Sequence, residues 1–503
     1  MMFARCTIHG LFAQLALCLT AFFAAAVDLR AQPPLTIPAS PGFNPTGPGL
    51  SVPPTPPFET PQASTDRHGL AISIRSDFLH HFVHRTTVES DDVATRILEA
   101  DVRGVQTTRT EVSMTTTASA NSARMEILAQ GQVQSDTVGY TRQAQVKTAG
   151  SHTFNIRKPV FFDGNQFSTK PAYGSLQARQ FPQSVNTIAS GIPLFGPIGN
   201  RIAWREVLRR MPASDAIVVR RVADDVLPKV NAGVDEELAK LNRQWSAFRQ
   251  QITSALIPAN IVWSASTTDQ QLTILARNPA VTLPATQPLQ RQLSSTETVS
   301  VLLADASVNA LLNHERLQNL TLSDTDLMQL VTAIREREDL SDALSGVQQV
   351  LNNPSAPTAT SIRLAAIDPI SVAFDGGRIS ILIRLQFVPR AGPASDLQVI
   401  EVQLAGENSG EGRWLVVMNS LSARAADPTG QIAPLSNLIN QRADFVVRQV
   451  PPTELPRQIR LSALKENLPS LKLRQVQTDS GWLRVSFDQA EAATTVHAFC
   501  PPK

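Results

Sequence analysis

Two stretches of similar pattern, LAISIRSDFLHHFVH at 70–84 and VSVLLADASVNALLNH at 299–314, decide how the chain is divided. In each, apolar residues alternate with small or polar ones, which is typical of a half-buried strand. A helix-favouring segment follows, and Ser76 or Asp77 is a natural N-cap for the first of these helices. Because the same order of elements returns about 230 residues later, the sequence predicts an internal duplication.

Each of these stretches leads into further elements of the same kind. Ser/Asp-rich turns at 90–92 and 323–326 predict capped second helices over 93–98 and 327–334. Antiparallel hairpins should follow in both copies, because each contains the turn-favouring triplet Phe-Asp-Gly. The predicted strands are 125–134, 141–147, 153–162, 379–388, 397–404 and 413–418.

An amphipathic helix is predicted in each copy. Apolar residues recur every three or four positions from 222 to 256, which indicates a long helix with one apolar stripe, kinked at Pro228. A shorter counterpart spans 435–447. The predicted fold class is therefore α+β. It comprises two related domains, each made of antiparallel β-hairpins with short capped helices and an amphipathic helix packed on the sheet.

The start of the chain predicts export. Residues 1–31 combine a positively charged head, an apolar stretch and small residues that suit cleavage after Ala26 or Ala31. The apolar stretch is too short to span a bilayer, so we expect no transmembrane anchor. Residues 32–66 are rich in proline and predict a disordered leader. The remaining divisions are a first domain at 67–265, a connector at 266–295 and a second domain at 296–503.

Composition excludes some classes of protein. Cys6 and Cys18 leave with the signal peptide, so Cys500 alone remains and no internal disulfide is expected. The formal net charge of +2 offers little electrostatic attraction to nucleic acid, and aromatic residues that could stack on bases are sparse. We therefore expect no nucleic-acid partner.

Several short segments carry a resemblance to a known group of proteins. The Ser/Asp-rich turns and the segments 161–164, 201–205 and 481–483 resemble a set of exported, functionally uncharacterised proteins of planctomycete-type bacteria. The likeness extends over most of the mature chain. It implies a signal peptide and a two-part layout, and it implies no activity, cofactor or site residue.

The best metal-ligand candidates are His80 and His84, which are four residues apart. On a helix both imidazoles could reach one cation, and His68, Glu89 or Asp91 could complete the coordination. The predicted duplication favours ordinary packing instead, because the position of His80 is an alanine in the second copy.

A basic stripe gives a second candidate site. Arg201, Arg205 and Arg209 recur at steps of four and would share one helix face. Guanidinium groups in this pattern can bind phosphate or carboxylate, as in anionic lipid headgroups or a surface polysaccharide. Glu206 lies close enough in sequence to neutralise part of this charge, so a solvated face with local ion pairs is the alternative.

Familiar catalytic motifs are absent from the sequence. There is no Gly-x-Ser-x-Gly elbow, zinc-binding His-Glu-x-x-His helix or phosphate-binding glycine loop. The triplet Asp479-Ser480-Gly481 is interpreted as a turn before a strand at 482–487. Whether the protein is an enzyme is left open, although the sequence favours a non-catalytic role.

Paired amphipathic helices and hairpins resemble the tubular lipid-binding architecture. The leading hypothesis is an exported, non-catalytic protein of the periplasm or cell envelope, without a cofactor. It would bind a lipid or another apolar ligand, or act as a scaffold for an envelope protein partner. The alternative hypothesis is a periplasmic metal-dependent hydrolase that uses the His80/His84 cluster.

Overall fold

The computed structural model describes residues 69–191, 196–255, 261–279, 281–283, 292–312, 317–322, 360–389, 392–410, 413–450, 452–455, 458–459 and 469–490. Within these residues the chain forms three antiparallel sheets together with α-helices. The fold is therefore α+β. The predicted signal peptide, leader, second-copy helix at 327–334, His68 and Cys500 all lie outside the described residues.

The strands are numbered in chain order. They are β1 (Leu70–Arg75), β2 (Arg85–Ile97), β3 (Ala100–Thr117), β4 (Ala123–Tyr140), β5 (Ala144–Phe162), β6 (Phe167–Thr169), β7 (Tyr173–Thr187), β8 (Val262–Thr267), β9 (Gln271–Arg277), β10 (Val299–Ala304), β11 (Thr321–Leu322), β12 (Thr360–Leu364), β13 (Ile370–Asp375), β14 (Arg378–Pro389), β15 (Gln398–Asn408), β16 (Trp414–Ala425), β17 (Thr453–Glu454), β18 (Gln458–Ile459), β19 (Leu471–Asp479) and β20 (Trp482–Gln489). The helices are α1 (Ser76–Val83), α2 (Gly196–Ala255), α3 (Asp305–Leu312) and α4 (Pro434–Gln449).

The two stretches quoted first meet at the centre of the molecule. Their strands β1 and β10 lie side by side and antiparallel, with Ile72 opposite Val301. Each then pairs outward with a hairpin, β1 with β8–β9 and β10 with β19–β20. The order of this central sheet is β18-β19-β20-β10-β1-β9-β8. Strand β9 lies within the predicted connector, so that segment contributes to the central sheet.

Both faces of the central sheet are covered. The helix α1 buries Phe78, Leu79 and Phe82 in the core cluster formed with Ile72, Ile74 and their neighbours on one face. The opposite face carries Trp482 and Leu302, on which Leu283 packs. A strand buried on both faces becomes almost continuously apolar, which explains the composition of β10.

The predicted helix at 93–98 is wrong, because this segment belongs to strand β2. The Ser/Asp residues at 90–92 resemble a helix N-cap, but they sit within a run that is rich in β-branched residues. Every residue of β2 pairs with β3, from Arg85 opposite Val112 to Ile97 opposite Ala100. Tertiary pairing therefore overrides the local capping signal.

The long sheet comprises β2 to β7, in the order β2-β3-β4-β5-β6, with β7 also paired to β5. The strands predicted at 141–147 and 153–162 are largely one strand, β5. Helix α2 is confirmed but starts at Gly196, well before the predicted 222, and contains 60 residues. At 1.5 Å per residue it is about 90 Å long, and both Pro212 and Pro228 lie inside it.

The short sheet has the order β11-β12-β14-β15-β16-β17, with β13 paired to β14. The strands predicted at 379–388, 397–404 and 413–418 are confirmed as β14, β15 and β16, and the helix predicted at 435–447 is confirmed as α4. Gly376 and Gly377 join β13 to β14 with φ of +51° and +79°. Glycine suits this two-residue hairpin turn because both positions need positive φ.

Candidate ligand site between the long helix and the long sheet

Helix α2 lies against the inner face of the long sheet, and one of its anchor regions, called the base here, lies near residues 162–167. The Asn242 side chain accepts a hydrogen bond from the Phe167 backbone nitrogen (2.6 Å) and donates one to its carbonyl oxygen (2.9 Å). Trp245 is 2% exposed, donates to the Gly164 carbonyl oxygen at 3.0 Å and packs edge-on against Phe162 and Trp263. The base is therefore tightly closed.

A buried cation adds a second anchor between helix and sheet. Lys158 is 1% exposed, and its Nζ lies 2.8 Å from Asn231 Oδ1 and 3.0 Å from Asp235 Oδ1, both on α2. Burial alone would raise the pKa of Asp235, but hydrogen bonds from Thr169 and Lys158 outweigh it and lower that pKa. The charge of Lys158 is thus compensated, as buried charges generally are.

The middle of α2 packs on the apolar centre of the inner face. Leu227 and its neighbours contact a cluster that includes Phe154 and Ile156 of β5. Phe154 and Ile156 are buried, whereas the helix side chains that cover them are half-buried. Burial of the helix side chains that face the sheet therefore decreases with distance from the base.

Beyond this point lies the far half of the interior, defined as the region between α2 residues 200–220 and the facing inner surface of β5 and β7. The apolar side chains Trp204, Val207 and Met211 are all half-buried. They share a helix face with Ser214, whose Oγ contacts Gln180 Oε1 of β7 at 3.2 Å. Their incomplete burial leaves apolar side-chain surface accessible to solvent in this region.

Two polar groups in the far half have unsatisfied atoms. Burial lowers the pKa of His152, which is 7% exposed, and its Nδ1 has no hydrogen-bond partner in the described structure. Burial raises the pKa of Asp215 despite a hydrogen bond from the Gln180 backbone, and its Oδ1 lacks a partner there as well. Buried polar atoms of this kind are uncommon and suit a ligand that supplies the missing partner.

These two groups belong to one region of the interior. Gln180, which contacts Asp215, lies opposite Gly150 in the β5–β7 ladder. The His152 ring lies over Gly150, because a Cβ built there would be 2.8 Å from His152 Nε2. The far half thus combines half-buried apolar walls with a small polar patch that contains an imidazole and a carboxyl group.

The predicted metal ligands His80 and His84 do come together on α1. Their rings stack with centroids 4.9 Å apart, and His84 Nδ1 is 3.9 Å from Glu111 Oε1. The other predicted ligands Glu89 and Asp91 are exposed on β2. Among the described residues, no group of three or more His, Cys, Asp or Glu is arranged to hold a metal ion. Metal binding stays a prediction.

The predicted anion site lies on the solvent-exposed face of α2. Arg201, Arg205 and Arg209 are all exposed there. Glu206 accepts hydrogen bonds from Arg209 (2.8 Å) and Arg210 (2.6 Å), which lower its pKa. One of the three predicted cations is thus engaged by the neighbouring carboxylate. The stripe faces away from the far half, so it is a separate surface.

Sequence reasoning missed Lys158, His152 and Asp215. The sequence pattern could have indicated Lys158, because it occupies one of the alternate positions from 154 to 162 that are buried in the strand. The other two come together only through the pairing of β5 with β7 and the passage of α2 over both strands. No local pattern encodes such a long-range contact.

Comparisons with known proteins add little. No protein-family model and no curated protein matches the chain. The structure is similar to the crystal structure of a lipopolysaccharide binding protein, with 11% sequence identity and a TM-score of 0.25 over 84% of this chain and 99% of that one. None of the helices in the described residues has the length and apolar character needed to cross a membrane.

Proposed function

We propose that the protein is an exported, non-catalytic component of the cell envelope that binds a lipid or another apolar ligand in the far half. The observation that carries this proposal is the exposure of Trp204, Val207 and Met211, which face a sheet yet remain half-buried. Covering apolar surface of this kind is favourable by about 25 cal/mol per Å². An apolar chain lying between α2 and the long sheet would gain this free energy.

The polar patch suggests which end of the ligand lies where. His152 Nδ1 and Asp215 Oδ1 lack partners in the described structure and lie in the same region as the apolar side chains. A ligand with one hydroxyl, amide or carboxyl group could bond to them while its hydrocarbon part contacts the walls. Ligand sites commonly combine apolar walls with a few such orienting groups. The ligand class proposed is therefore an amphiphile with a single compact polar group.

Lipid binding is tested with the mature protein and the fluorescent fatty acid cis-parinaric acid. We expect saturable binding, weakened at least threefold by Trp204→Ala because that substitution removes apolar wall area. Phe445→Ala is the matched control, since Phe445 is 51% exposed on the other amphipathic helix α4. Mass spectrometry of a solvent extract should also find co-purified lipid. Absence of both lipid and probe binding would reject the proposal.

Export is tested separately by expressing the full chain and sequencing the N-terminus of the product recovered outside the cytoplasm. Cleavage after Ala26 or Ala31 is expected, since both are small residues that come after the apolar stretch. Retention of the intact N-terminus in the cytoplasm would contradict the envelope location without affecting the ligand site. The two parts of the proposal can therefore fail independently.

A further inference from the structure

The outer face of the long sheet, opposite the helix, carries an open groove of about 480 Å³. Its volume falls within the usual range of small-molecule sites. The side chains that line it come from four neighbouring strands, β3, β4, β5 and β7. The lining residues are Arg109, Glu111, Gln130, Gly131, Gln132, Thr153, Phe154, Asn155, Ser175 and Gln177.

Strand register arranges the polar side chains in two parallel rows. In one row Gln132 lies opposite both Arg109 and Thr153, and Thr153 lies opposite Gln177. In the next row Gln130 lies opposite both Glu111 and Asn155, and Asn155 lies opposite Ser175 of β7. Side chains at such paired positions lie about 5 Å apart, so the rows form a continuous polar floor.

The chemistry of this floor is that of a neutral hydrogen-bonding surface. Amide side chains provide both donors and acceptors, and the hydroxyls of Thr153 and Ser175 do the same. Arg109 and Glu111 are the charged lining groups of the groove and have opposite signs. Asn155 Oδ1 is enclosed and has no hydrogen-bond partner in the described part of the chain. Such a surface matches a ligand with many hydroxyl groups and no net charge.

Exposed aromatic rings stand on β7 at both ends of the groove. Tyr173 is 53% exposed and precedes Ser175 by two residues, which places both side chains on one face. Its hydroxyl donates to Glu126 Oε1 at 2.7 Å, and Arg157 holds the same carboxylate at 3.2 Å. Phe181 is 55% exposed and four residues beyond Gln177. Flat rings of this kind can stack on the apolar C–H faces of sugar rings.

We propose that this groove binds a neutral polysaccharide chain, with the amide rows bonding to its hydroxyls and the aromatic rings stacking on terminal sugar units. The groove lies on the face of the sheet opposite the far half, so this site does not depend on lipid binding. A protein with both sites would connect an amphiphile to the glycan layer of the envelope.

The test is affinity gel electrophoresis of the mature protein with three soluble neutral polysaccharides: dextran, mannan and glycol chitin. We expect retardation by at least one of them, and a dissociation constant raised at least tenfold in the Gln132→Ala/Asn155→Ala double variant. Tyr173→Leu should raise it at least threefold. The matched control is Gln145→Ala, an exposed amide on β5 outside the groove. Circular dichroism spectra of all variants should match the parent protein.

Two outcomes would overturn the proposal. The first is the absence of retardation by all three neutral polysaccharides. The second is retardation that the groove variants and the Gln145→Ala control share equally. Binding of cis-parinaric acid is measured on the same samples, so loss of the lipid site and loss of the glycan site are distinguished.

Discussion

The two amphipathic helices are anchored by the same device but differ greatly in length. Asn242 on α2 bonds to both backbone groups of Phe167, and Asn440 on α4 bonds to both backbone groups of Ala423 at 2.7 Å each. Helix α2 has 60 residues and α4 has 16, or about 90 Å against 24 Å. The extra length of α2 is therefore not needed for this particular anchor.

The strands of the long sheet are likewise longer than those of the short sheet. Strands β3, β4 and β5 have 18 or 19 residues, whereas the longest strands of the short sheet have 12. The added length of strand and helix together creates the far half, where apolar side chains stay half-buried. The proposed ligand site lies in this elongated part, away from the most tightly packed anchor region.

Gln398 of the short sheet differs from His152 and Asp215 of the far half in how completely its polar atoms are bonded. Gln398 of the short sheet is 0% exposed and fully bonded, because its Nε2 donates to the carbonyl oxygens of Asp396 and Gln431 and its Oε1 accepts from Ala433. His152 and Asp215 of the far half each keep an unpartnered atom. The bonded Gln398 stabilises the fold, whereas the unsatisfied pair would bind the polar group of the proposed ligand.

The largest expected effect is a difference in stability loss between two tryptophan substitutions on α2, one in the base and one in the far half. Trp245→Ala should lower the free energy of unfolding by about 3–5 kcal/mol, because it removes a side chain that is 2% exposed and leaves a cavity. Trp204→Ala should cost about 1 kcal/mol, because that side chain is only partly buried. Urea denaturation measures both. Equal losses would show that the far half is as tightly packed as the base.

The sequence predicted elements well wherever local periodicity and tertiary pairing agree. Helices α1 and α4 and strand β20 were found because their apolar spacing is regular over their whole length. Strand β2 was missed because its Ser/Asp run has the chemistry of a helix cap. The start of α2 was missed because Pro212 and the arginines from 201 to 221 interrupt the apolar stripe that begins at 222.

The candidate site was less accessible to sequence reasoning than the fold. The arginines at 201, 205 and 209 lie on an exposed helix face, and anion binding by them stays a prediction. His152 and Asp215 are 63 residues apart and meet through Gly150 and Gln180, on strands whose register includes a bulge near Lys147. Register of this kind depends on long-range pairing, which a single sequence does not reveal.

The second prediction concerns the fully bonded amide of the short sheet. Gln398→Leu should lower the free energy of unfolding by about 1–3 kcal/mol, because three backbone groups, including that of buried Ala433, lose their partner. The control is Gln403→Leu. Gln403 is half-buried and bonds only to the Glu401 side chain among the described contacts, so we expect a loss below about 1 kcal/mol. A loss at Gln398 no larger than the control would refute its anchoring role.

The third prediction is a pH dependence that originates in the far half. Because burial lowers the pKa of His152 in the folded state, the unfolded chain binds the proton more readily. Stability should therefore fall as pH drops through 6.5, the ordinary value for histidine. His152→Gln should reduce the stability difference measured by urea denaturation at pH 7.5 and pH 5.5. An unchanged difference would assign the acid sensitivity to other groups.

The smallest expected effect has the opposite sign. Burial raises the pKa of Asp215 above its ordinary value of 3.8, so its contribution to stability is complete below that pH and is lost as pH rises. Asp215→Asn should therefore stabilise the ligand-free protein at pH 7, by less than about 1 kcal/mol since the side chain is only partly buried. This gain should disappear at pH 3.5. If the same variant also weakens cis-parinaric acid binding, the carboxyl group contacts the ligand and lowers the stability of the ligand-free protein. Asp215 would then serve ligand binding, whereas Gln398 serves the stability of the fold.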